Sequence, residues 1–122
     1  MDFHYERLDH VQLAAPKGGE EKARLFYQDL LGFSEVEKPD NLKSRGGVWF
    51  TNGMIHLHIG IEEPFLPARK AHPAIRVKNI EAMKHYLDQK NTAYIVDDHL
   101  LGANRFYLHD PFGNRLEFLE WI

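Results

Sequence analysis

The feature that most limits what this chain can fold into is an order of elements that occurs twice. Each half reads as strand, helix and then three strands, and the two copies fill almost the whole sequence. In the first half, Leu8 to Leu13 alternates: Val11 and Leu13 share one face, while Leu8, His10 and Gln12 share the other. Pro16 and Gly18-Gly19 end that strand. Glu20 to Leu31 predicts a helix, with Ala23, Phe26, Tyr27, Leu30 and Leu31 as its apolar stripe and Gly32 just beyond its end. Short strands follow at Phe33 to Glu37, Val48 to Thr51 and Met54 to Ile59, the last two joined by an Asn52-Gly53 turn.

The stretch from Gly60, with Pro64 and Pro67, reads as a connection. The second half repeats the order: a strand at His72 to Val77, a helix that Asn79 can cap, and strands at Ala93 to Val96, Arg105 to His109 and Arg115 to Trp121. Identity between the halves is weak, but matched residues recur at a nearly constant offset of about 60 positions. His10 and His72 open their halves, and His56 and Glu117 close them. The expected organisation is one domain over 1–122, with a first module at 7–60, a linker at 61–71 and a second module at 72–122. The expected class is α+β: two tandem βαβββ modules forming a curled mixed sheet around a metal-binding cleft.

Composition narrows the chemistry. With no cysteine, disulfides, thiolate metal sites and cysteine nucleophiles are excluded. Eighteen acids against fifteen bases give a formal charge of -3 without a basic block, which argues against a nucleic-acid partner. No apolar run approaches a membrane span and no signal segment opens the chain, so a cytoplasmic protein is expected.

Eight histidines are the unusual count. His10, His56, His72 and Glu117 are all metal-ligand types at matched positions in matched strands. Strand parity places His56 and His58 on one face, away from Ile55, Leu57 and Ile59. Glu117 faces away from Leu116 and Phe118, where an unpaired acid would be expensive. His56 and His58 are rivals for one ligand position, since neighbours on one strand face stand about 7 Å apart. The repeat offsets favour His56, and a single bulge would favour His58. Gln12, Arg76, Arg105 and Tyr107 have the parity to line the same cleft as substrate-binding groups.

The segments LDHVQLA, FYQDLLGF, AHPAIRV and FYLHDPFGNRLEFLEW resemble the vicinal oxygen chelate superfamily. That superfamily includes lactoylglutathione lyase (glyoxalase), bleomycin-resistance proteins, extradiol dioxygenases, epimerases and fosfomycin-resistance proteins. The resemblance spans nearly the full chain, and its last segment is the most specific. It implies paired βαβββ modules around a divalent ion: zinc, nickel, manganese, cobalt or iron. His10, His72 and Glu117 fall where family ligands fall, and His56 or His58 falls at the fourth position found in the lyases. The implied activity is a lyase or isomerase acting on a small oxygen-bearing substrate through an enediolate or oxyanion, with Glu117 moving the proton. The alternatives are an extradiol-type dioxygenase, a resistance transferase, or a metal-free protein that sequesters a drug. The resemblance also implies a homodimer, with modules pairing within one chain or between two.

Overall fold

The computed structural model describes all residues, Met1–Ile122. The chain divides into two compact units, Met1–Phe65 and Leu66–Ile122. No helix is long and apolar enough to cross a membrane.

In the first unit, β1 (Val11–Ala15) is followed by α1 (Glu20–Ala23), which continues as a π-helical segment, Arg24–Leu30. The strands β2 (Ser34–Val36), β3 (Val48–Thr51) and β4 (His56–Ile61) follow, with a 3-10 helix at Asp40–Arg45 before β3. The strand order is β1-β4-β3-β2. β1 runs parallel to β4, with Gln12 opposite His58, and β3 runs antiparallel to β4, with Trp49 opposite His58. One face of the sheet carries Val48, Phe50, Leu57 and Ile59, all buried against Ala23, Phe26 and Tyr27 of the helical segment. Tyr27 stacks on Phe50 at 5.5 Å between centroids. Burying an aromatic or branched side chain contributes about 1.5–3 kcal/mol each, so this layer carries the unit's stability. Gly32, at φ +84°, closes the helix where the chain must turn left-handed.

The second unit repeats the plan with β5 (Ala74–Arg76), α2 (Ile80–Gln89), β6 (Ile95–Val96), β7 (Ala103–His109) and β8 (Arg115–Trp121), in the order β5-β8-β7-β6. Ile75, Phe106, Leu108, Leu116 and Phe118 are buried on one face, and Ile80 and Leu87 of α2 are buried with them. The other face holds Tyr107 opposite Glu117, His109 opposite Arg115 and Arg105 opposite Leu119. The tight turn between β7 and β8 is built on Asp110. Its Oδ1 accepts the backbone N–H groups of Phe112 (2.9 Å) and Asn114 (2.8 Å), and its Oδ2 accepts the Asn114 side-chain amide at 2.8 Å.

The expectation of a curled sheet is corrected. The structure has two separate four-stranded sheets, each open, with β1 and β2 as the edges of one and β5 and β6 as the edges of the other. Four twisted strands are too few to close on themselves, since barrel closure needs more strands and a consistent shear. The edge strands β2 and β6 are also very short, which limits any further pairing. The two βαβββ modules themselves are present.

Asn79 does precede α2, but its side chain makes no capping bond. It sits in the left-handed region at φ +64°, which asparagine tolerates better than most residues. The free N–H groups at this helix start are taken from outside the helix, by Glu120.

Candidate functional site

In the second unit the central contact is between His72 and Glu117. His72 Nε2 lies 2.8 Å from Glu117 Oε1. Glu117 is 6% exposed, yet it sits on the polar face of β8, opposite Tyr107 on one side and Ala74 on the other. His72 lies just before β5. Its Nδ1 is 2.8 Å from the carbonyl oxygen of Lys70, which can only accept, so Nδ1 carries a proton. In the neutral ring Nε2 is then a bare lone pair facing a carboxylate oxygen. Two acceptors do not rest 2.8 Å apart unless a cation, a proton or a metal ion, is shared between them.

Around this pair, Arg105 reaches Glu117 Oε2 at 3.6 Å and Asp97 at 3.4 Å. Its Nε is buried without a partner. Tyr107 meets the His72 ring edge-on at 5.5 Å, and the Arg115 guanidinium lies 3.8 Å over the Tyr107 ring. Arg76 is exposed on β5.

The first unit holds a corresponding group. His10 lies just before β1, and its Nδ1 is 2.8 Å from Asp9 Oδ1. The carboxylate orients the ring and leaves Nε2 bare, the same tautomer as His72. A ligating histidine commonly donates its other N–H to a carboxylate or a backbone carbonyl, as both rings do here. His58 is sandwiched between Trp49, 3.8 Å away and nearly parallel, and His10, stacked at 4.1 Å. Burial, and then the neighbouring His10 and His56, push the His58 imidazole down to about 4. Nitrogen lone pairs lie in the ring plane, so two stacked imidazoles cannot both aim at one ion until a ring turns off the stack. Gln12 lies over Gly60, where a Cβ would stand 2.5 Å from the Gln12 amide.

The strand registers relate the two units residue by residue. Trp49 faces His58 as Tyr107 faces Glu117, and Gln12 faces His58 as Ala74 faces Glu117. Register thus makes His58 the counterpart of Glu117. His56 lies one step along the same face, exposed and opposite Thr51.

No group of three or more His, Cys, Asp or Glu side chains is gathered closely enough to hold an ion. The donors appear as pairs, His72 with Glu117 and His10 with His58. The chemistry of the first pair suits a divalent ion: one nitrogen and one oxygen 2.8 Å apart match adjacent donors on an ion bound at about 2.0–2.1 Å. Asp9, Lys70 and Arg115 escaped the sequence reading. Two signals were available: Asp9 directly precedes His10, and Arg115 precedes Glu117 by two positions on the same strand face.

The model of the Glyoxalase/Bleomycin resistance protein/Dioxygenase superfamily matches residues 7–118. A solved glyoxalase family protein from Bacillus anthracis is 46% identical, with a TM-score of 0.96 and complete coverage of both chains. Glyoxylase I 4 of Arabidopsis thaliana is 26% identical over 125 residues, covering 94% of this chain and 71% of that protein. The antibiotic-binding protein TnmS3 from a Streptomyces species shares the fold at 18% identity and a TM-score of 0.74, covering 98% of this chain and all of that one. The chain belongs to the Glyoxalase/Bleomycin resistance protein/Dioxygenase superfamily.

Proposed function

We propose that this chain is a divalent-metal-dependent lyase or isomerase acting on a small oxygen-bearing molecule. The observation that supports it most is the His72–Glu117 contact, in which a bare imidazole nitrogen and a buried carboxylate oxygen share one cation position. A divalent ion bound there supplies Lewis-acid stabilisation of negative charge on a substrate oxygen. His72 and Glu117 are the proposed ligands of the second half, and His10 and His58 those of the first once one ring turns off their stack.

The remaining roles belong to the chain's own side chains. The Lys70 carbonyl and Asp9 lock the tautomers of His72 and His10. Glu117 would take and return the substrate proton, a role open to a carboxylate that can give up its ion contact, with Arg105 3.6 Å from its Oε2. Arg105, 3.4 Å from Asp97 and 3.6 Å from Glu117 Oε2, helps fix the position of the carboxylate. The body of Tyr107 shields the pair on one flank.

Elemental analysis of untagged protein tests this reading, with His72→Ala and Glu117→Gln alongside. Near-stoichiometric metal that falls in both variants, with folding preserved, is the expected result. Absence of retained metal, together with no saturable uptake of zinc, nickel, manganese or ferrous iron, overturns it. Metal identity then directs the substrate screen, because the donor types alone admit several ions.

A further inference from the structure

At Tyr107, whose ring touches His72, the polar face of the second sheet opens into a hollow of about 460 Å³. Its lining includes Arg69, Tyr107, His109 and Arg115, together with Asp97 and Asp98. Asp97 is already engaged: it accepts the His99 backbone N–H at 2.8 Å and pairs with Arg105 at 3.4 Å. The side chains of Arg69 and His109 have no hydrogen-bond or ion-pair partner, and Arg115 has only the Tyr107 ring beneath it. A cation resting on an aromatic face keeps its N–H groups available in the ring plane's surroundings, so Arg115 is held in place without being neutralised.

We propose that this hollow binds the anionic group, a carboxylate or a phosphate, of a flat small molecule. Arg115 and Arg69 supply the charge and the paired N–H donors that such oxyanions take up bidentately. His109 faces the same space from the register position opposite Arg115. Ile95, opposite Tyr107 and 58% exposed, offers an apolar wall for the body of the molecule. Tyr107 is common to the hollow and to the catalytic pair, since its ring also touches His72. A ligand anchored on Arg115 and laid along Tyr107 therefore points toward Glu117. This deepens the proposed function by naming an anionic substrate class, and it rests on that reading only for what lies at the His72 end.

The experiment titrates chelator-treated full-length protein with benzoate and with phenyl phosphate, followed by calorimetry, with benzamide as the neutral control. Because metal is removed, the result is independent of whether the ion-binding reading holds. Expected is saturable binding of at least one anion, weakened tenfold or more in Arg115→Ala and in Arg69→Ala, and unchanged in Arg45→Ala, an exposed arginine of the first unit. Which anion binds more tightly identifies the group as carboxylate or phosphate. Arg115→Lys, which keeps the charge but loses the planar fork, should retain part of the affinity. Circular dichroism checks folding, and Arg69→Ala, on an exposed irregular segment, serves if Arg115→Ala does not fold. No saturable binding of either anion, equal binding of benzamide, or wild-type affinity in both arginine variants overturns the proposal.

Discussion

Glu120, at the far end of β8, holds the start of the helix that begins at Ile80. Its Oε1 accepts the Ile80 N–H at 3.0 Å and its Oε2 accepts the Asn79 N–H at 2.9 Å. The two N–H groups hold the Glu120 carboxyl below its ordinary value, the Ile80 bond contributing most. A carboxylate with a lowered folded value stabilises the fold above its unfolded titration point, and that contribution is lost as pH falls through the folded value. Glu120→Gln should therefore lower the melting temperature at neutral pH and flatten its dependence on pH in the acid range. Thermal melts from pH 7 to pH 3 on both proteins check this.

His58 titrates in the opposite sense. Its ring is charged at about 4 in the fold, against an ordinary value of 6.5. Between those values the unfolded chain takes the proton first, so stability is full above about 6.5 and falls as pH drops toward 4. NMR of the imidazole in chelator-treated protein should show a midpoint near 4. Trp49→Ala opens one face of the ring to water and should raise that midpoint.

Asp9 orients His10 through one hydrogen bond, so Asp9→Asn, whose amide can accept or donate, removes the charge that enforces one tautomer without changing size. Removing such an outer partner typically costs about 10–100-fold in metal affinity. Competition with a chelating dye should show a loss of that order, with an unchanged circular dichroism spectrum.

Gly47 sits at φ +89°, and a Cβ there would stand 2.2 Å from the carbonyl oxygen of Ile59. The obstacle is backbone within the β3–β4 sheet and cannot swing aside. Its N–H also donates to Glu20 Oε2 at 3.0 Å, tying the loop to the helix start. Gly47→Ala should lower the unfolding free energy by more than about 1 kcal/mol, because alanine strains the positive-φ backbone it would have to adopt. Urea denaturation measures it.

Phe106 is fully buried, 5.4 Å from Phe118 and 5.0 Å from Tyr94 between ring centroids. Phe106→Ala should cost about 3–5 kcal/mol through lost burial and the cavity left behind. The same urea series reads the loss as a lower midpoint at an unchanged slope.

Much of the architecture was legible because it is written in short-range pattern. β3 and β8 have the bounds that alternation indicates, and Val11, Leu13, Leu57 and Phe118 point away from the polar face as parity requires. Other strand ends move: β1 begins at Val11 rather than Leu8, which leaves His10 just outside the ladder. The helix over Glu20 to Leu31 widens to π geometry from Arg24, which the apolar stripe alone does not signal. Cap chemistry departs from the local pattern for a related reason. Asn79 is a good capping type, but the acceptor that serves α2 comes from Glu120, 41 residues further on.

Residue types and their two-residue and four-residue spacings, acting locally, determined the repeated βαβββ order, the buried face of each sheet and the availability of His10, His72 and Glu117 on the other face. Tertiary structure alone decided that the sheets stay open, that His58 rather than His56 stands where Glu117 stands, and that His58 lies between Trp49 and His10. It also decided that Arg115 covers Tyr107. The physical reason is register. Alternation says which face a side chain takes, whereas the partner it meets is set by hydrogen-bonded pairing between strands far apart in sequence.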